Sequence, residues 1–136
     1  MNRTSAANAG LATLPSAHSA AETVERLKEL LAQKGIQLFA HIDHAAEAKK
    51  VGLRLRPTQV LIFGNPQAGT PLMQSQQTIG LDLPLRALVW EDEAGRPGLR
   101  TTRSTSSPRA TTLLTGKKPS EPWMWVWLTR SALRPR

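Results

Sequence analysis

The sequence predicts an α+β domain in which a mainly antiparallel sheet is covered by one long helix. A capping signal followed by apolar residues at helical spacing marks that helix over 19–34. Short apolar runs at 36–43, 58–64 and 85–92 read as strands. The elements follow one another as strand, helix, strand, short helix, strand, turn or helix, strand, with no internal repeat.

Each element has a local reason. "GLATLP" (10–15) is a short first strand ended by Pro15. Ser19 and Glu22 form the capping box S-A-A-E. Val24, Leu27, Leu30 and Leu31 then recur at helical spacing, and Gly35 is a C′ residue suited to positive φ. In "IQLFAHID", Ile36, Leu38, Ala40 and Ile42 alternate with Gln37, Phe39, His41 and Asp43, which predicts a strand with one face on the core. Asp43 precedes the alanine-rich "HAAEAKKVG" and is placed to cap a short helix there. "TQVLIFG" (58–64) is a continuous buried strand. "LRALVWED" (85–92) puts Leu85, Ala87 and Val89 on one face, with Leu88 and Trp90 on the other.

Composition narrows the function classes. A chain of 136 residues is one domain by prior, and without cysteine it has no disulfides, thiolate metal sites or thiol nucleophiles. No apolar run reaches the ~18–20 residues of a membrane span, and the start shows no apolar leader. A soluble, cytoplasmic protein with no membrane partner is expected. The net charge of +8 is unevenly placed: residues 1–95 carry nine Lys/Arg and nine Asp/Glu, whereas 96–136 carry nine Lys/Arg against Glu121 alone. The excess therefore belongs to the last third.

Two polar clusters could carry chemistry. In "IFGNPQAGTPLMQ" (62–74), Asn65 and Thr70 are N-cap types, each followed by a proline at N1. "NPQAG" and "TPLMQ" each read as one helical turn, and free N–H groups at such starts suit an anion or carboxylate. Chain redirection is the competing reading. No Walker A or G-x-G-x-x-G pattern is present. In "HIDHAAEAKK", a metal would need His41, Asp43, His44 and Glu47, yet His-x-x-His at a strand end splits the rings between faces. No metal is expected. His44 is read either as a ligand-contacting or a hydrogen-bonded structural residue, and His18 as a surface residue. There is no nucleophile motif and no glycosidase-like acid pair.

Over about residues 9–95, the strings "IDH", "FGNPQAGTPLMQ" and "DLPL" make the chain closely resemble the bacterial domain of unknown function 302 family. The resemblance implies a TATA-box-binding-protein-like α+β fold in a single copy, a homodimer, and no assigned activity. It places the family's polar signature on Asp43, His44, Asn65, Pro66, Gly69, Thr70, Pro71 and Asp82. The fold class alone carries no DNA-binding function.

After Gly95 the resemblance stops. Family members continue with a strand reading roughly Trp-Leu-x-Tyr-Asn and then a helix with an Arg-His pair. Here the text is "RPGLRTTRSTSSPRATTLLTGKKPSEPWMWVWLTRSALRPR", rich in Arg, Ser, Thr and Pro. Read one base earlier from Pro97, its codons permit Trp-Leu-Thr-Tyr-Asn and, further on, Ala-Glu-Arg-His. The expectation is a frameshift near residue 96: a truncated core at 9–95 and a largely disordered, non-homologous basic tail at 96–136. Strand 85–92 then lacks its partner, and the C-terminal strand and helix are lost. A genuine tail with Trp123, Trp125 and Trp127 stacking on single-stranded nucleic acid is the alternative, although nucleic acid is not the expected partner.

The functional expectation is a small-molecule or peptide-binding module, or a weak enzyme. Its polar pocket would use Asp43, His44, Asn65, Gly69 and Thr70, converging if their strand ends adjoin. The alternative is a structural homodimerisation domain without ligand. The sequence leaves the ligand, and any cofactor, open.

Overall fold

The computed structural model describes residues 11–102. Five strands, β1 (Leu11–Pro15), β2 (Gln37–Asp43), β3 (Thr58–Gly64), β4 (Leu85–Glu91) and β5 (Pro97–Thr102), form one antiparallel sheet in the order β1-β5-β4-β3-β2. Helix α1 (Ala20–Gln33) covers one face. Ser19 caps it, its hydroxyl accepting from the Glu22 N–H at 3.2 Å, and Gly35 exits at φ 66°.

Helical spacing on α1 meets strand alternation in the core. Val24, Leu27 and Leu31 pack with Leu61, Phe63, Ala87, Val89 and Leu99 in one buried cluster. Each such side chain contributes about 1.5–3 kcal/mol on leaving water. Thr23 is buried beneath the start of α1, where its hydroxyl donates to the Ser19 carbonyl at 2.8 Å. His18, expected at the surface, is instead half-buried, with Nδ1 3.5 Å from Glu22 Oε2.

Three local expectations are corrected. First, strand 85–92 does not lack a partner. β4 and β5 form a hairpin, with Val89 opposite Leu99 and Trp90 opposite Gly98, and β5 pairs on its other side with β1. The sheet therefore extends past residue 95; the expected tail beyond residue 102, including Trp123, Trp125 and Trp127, lies outside the described residues. Second, β2 does not present one continuous apolar face. A bulge between Leu38 and Ala40 leaves Leu38 opposite Phe63 but Ala40 opposite Ile62, so the alternation changes face in mid-strand. Third, "NPQAG" and "TPLMQ" are not two turns. They form one helix, α3 (Pro66–Ser75), which runs through Pro71 at the loss of one N–H toward the Gln67 carbonyl. A 3₁₀ turn at Gln77–Leu81 follows, and α2 (His44–Lys50) lies between β2 and β3.

The β4–β5 turn is held by Asp92. Its carboxylate accepts from the Ala94 and Arg96 N–H groups, each at 2.9 Å, and from Arg96 Nε at 2.8 Å, while Gly95 turns at φ 73°. The Arg96 N–H, outweighing slight desolvation and helped by the Arg96 side chain, holds this carboxyl below the usual carboxylate range. A lowered folded-state value means that the contribution is present above the unfolded value and is lost as pH falls through the folded one. The hairpin is therefore expected to loosen below the ordinary Asp range. Carboxyl titration by NMR checks this; a normal Asp92 value would contradict it.

Candidate functional site

The antiparallel sheet separates the two polar clusters. Asp43 ends β2 opposite Gln59, at the start of β3, whereas Asn65 follows Gly64, which lies opposite Gln37. Five steps of strand from Gln59 to Gly64 span roughly 17 Å. Within one copy, Asp43 and His44 therefore do not converge with Asn65, Gly69 and Thr70. Both clusters follow strands of one sheet, but consecutive antiparallel strands end at opposite edges.

Their side chains also hold local structure. Asp43 Oδ1 accepts from the Ala46 N–H at 3.0 Å and caps α2; Asn65 Oδ1 accepts from the Gln67 N–H at 2.9 Å and caps α3. His41 Nε2 lies 2.6 Å from Gln59 Oε1. His44 is exposed at the first position of α2, and Thr70 is exposed within α3 rather than at a cap. Gly69 is half-buried, and a Cβ there would meet Leu83 Cδ1 at 3.6 Å, an ordinary contact. Asp82 ends the 3₁₀ turn and is exposed. Among the described residues, no three His, Asp or Glu side chains come together as a metal site.

A different concavity lies on the sheet face opposite α1. Its volume is about 270 Å³, and it is lined by Leu55, Arg56, Thr58, Leu88, Trp90, Glu91 and Arg100. Opposed pairs Thr58–Trp90, Val60–Leu88 and Leu88–Arg100 put Thr58, Leu88, Trp90 and Arg100 on one face, while Leu61, Ala87 and Val89 take the other, and Glu91 lines the rim from their side. Trp90 is set by a missing side chain. A Cβ on Gly98 would lie 2.8, 2.9 and 3.2 Å from the indole Cζ2, Cη2 and Cε2, so the ring lies directly on the β5 backbone. Thr58 Oγ1 donates to the Arg56 carbonyl at 2.9 Å and ties the preceding loop to β3. Sequence reasoning missed this site because its lining comes from three separated segments. The alternation of Leu88 and Trp90 away from the core was the one signal available.

The family model for the domain of unknown function DUF302 matches residues 12–113. The chain belongs to the DUF302 family. The match runs past residue 95, as the sheet does. A crystal structure of an uncharacterized conserved DUF302 protein from Bacillus stearothermophilus superposes with a TM-score of 0.70 at 18% identity, over 91% of this chain and 95% of that one. At that identity the likeness shows the fold. Among curated proteins, the chain is similar to "Fluoride-specific ion channel FluC 1" of Brucella suis, 54% identical over 89 residues, which is 65% of this chain and 35% of that protein. The same identity and span relate it to the Brucella abortus protein of that name, of which 33% is covered. This DUF302 chain thus spans about a third of the length of the curated relatives it matches.

Proposed function

We propose that this DUF302 domain is a small-molecule-binding module whose ligand sits in the cavity opposite α1. The observation that carries it is the Trp90–Gly98 stack, which gives an apolar concavity a fixed aromatic wall beside two arginines. No helix among the described residues is long and apolar enough to cross a membrane.

Homodimerisation is the second reading, favoured by edge strand β2, where Leu38, Phe39 and Ile42 are 36%, 45% and 38% exposed. An antiparallel pairing of two β2 strands about Ala40 would bring Asp43 within two strand spacings, about 10 Å, of Gly64 of the partner subunit. Asp43 and His44 would then share a site with Asn65, Gly69 and Thr70 across the interface.

Native mass spectrometry of the freshly purified chain separates the readings. The expected result is a retained non-buffer ligand that is lost in Gly98→Val, where the new methyl groups drive the Trp90 ring off β5, and is kept in His44→Ala and Asn65→Ala. Loss in the latter two, together with a dimeric mass, supports the interface site instead. A frameshift near residue 96 stands as a separate proposal, weighed against a family match that runs to residue 113, and resequencing the gene checks it.

A further inference from the structure

We infer that the cavity opposite α1 takes a small organic anion, a carboxylate on a flat apolar body, with the body against Trp90 and the charge toward Arg56 and Arg100. This rests on the reading of that cavity as the ligand site. Its lining divides by chemistry: Leu55, Leu88 and Trp90 are apolar, and Arg56 and Arg100 are cationic. The one acid in the lining is already engaged. Glu91 Oε1 accepts from the Ala20 N–H at 3.2 Å, at the start of α1, where a carboxylate also meets the positive end of the helix.

The surrounding sheet has the same sign. Among the described strand residues, the row Ile42–Val60–Leu88–Arg100–Thr13 and the neighbouring Ala40–Ile62–Arg86 contain two arginines and no carboxylate. A cationic ligand would meet like charge here, whereas a carboxylate matches the planar fork of a guanidinium. The indole, held flat on Gly98, offers a planar apolar surface that needs no reorganisation on binding. A volume of about 270 Å³ equals roughly nine waters at ~30 Å³ each, the scale of a single substituted ring. Thr58, bonded to the Arg56 carbonyl, fixes the backbone from which the Arg56 side chain reaches the rim.

The test titrates the full chain at low salt with benzoate, benzamide and inorganic phosphate. It follows the Trp90 indole N–H by NMR, assigned from its absence in Trp90→Phe. Benzoate is expected to shift this signal saturably, with benzamide and phosphate at least about tenfold weaker. Arg56→Gln, at an exposed position, should weaken benzoate about tenfold with an unchanged melting curve. Benzamide binding as tightly as benzoate overturns the anion class and leaves the cavity reading standing. Phosphate binding as tightly overturns the flat apolar body. Benzoate affinity unchanged in both Arg56→Gln and Arg100→Gln overturns the assignment of the charge. No Trp90 response to any probe overturns the ligand class, and retained-ligand loss in Gly98→Val then decides separately whether the cavity reading survives.

Discussion

A chain ending at Gly95 is expected to show no cooperative thermal transition. β5 is an interior strand between β1 and β4, so its removal deletes two ladders at once, detaches β1 and turns β4 into an open edge. Leu99 is fully buried in the core, and its loss alone removes about 1.5–3 kcal/mol of apolar burial. Thr101 is also buried and donates its hydroxyl to the Arg86 carbonyl at 3.0 Å. Against the ~5–15 kcal/mol that holds a typical domain together, these losses leave little or nothing. Far-ultraviolet circular dichroism of chains 1–95 and 1–136 on heating checks the expectation. A cooperative melt of the shorter chain within about 5 °C of the full one, equivalent to ~1 kcal/mol for a domain of this size, would contradict an integral β5.

Phe63→Ala is expected to cost about 3–5 kcal/mol. Among the described residues Phe63 is the largest fully buried side chain, 2% exposed, on β3 opposite both Leu38 and Leu85, and it shares the core with Leu27 and Leu31 of α1. Truncation there removes a ring from between helix and sheet, and neighbours on a five-stranded sheet have little room to collapse inward. Urea denaturation should show a lowered midpoint with a nearly unchanged slope, because the surface exposed on unfolding barely alters. Phe63→Leu, which retains most of the volume, should cost clearly less. Equal losses in the two variants would mean that the ring's shape matters more than the space it fills.

The long helix was legible because its signals are local. Ser19, the Val24–Leu27–Leu31 stripe and Gly35 act within the segment as their chemistry suggests, whereas the Glu22 side chain lies against His18 Nδ1 instead of closing the capping box. Asp43 and Asn65 were legible as caps for the same reason. Convergence of the polar clusters was not legible, since it depends on whether neighbouring strands run together or opposed. Nor was the β2 bulge, which moves Leu38 off the face of Ala40 and Ile42.

Residues 97–102 show the clearest division. Their composition, "PGLRTT", opens on Pro and Gly and shows no alternation of apolar and polar residues, so no local pattern marks a strand, although the family model matches through residue 113. Their place is decided by partners distant in sequence. Val89 supplies the neighbour for Leu99, Trp90 fills the space that Gly98 leaves open, and β1 completes the second ladder. The cavity is decided in the same way, by register that carries Arg100 across from Leu88 and the 55–58 loop over both. By itself, the sequence determined the elements whose stabilising contacts lie within a few residues, together with the family to which the chain belongs. Strand order, register and the ligand cavity needed the tertiary structure, because hydrogen bonds between strands and contacts across a sheet face join residues that no local pattern links.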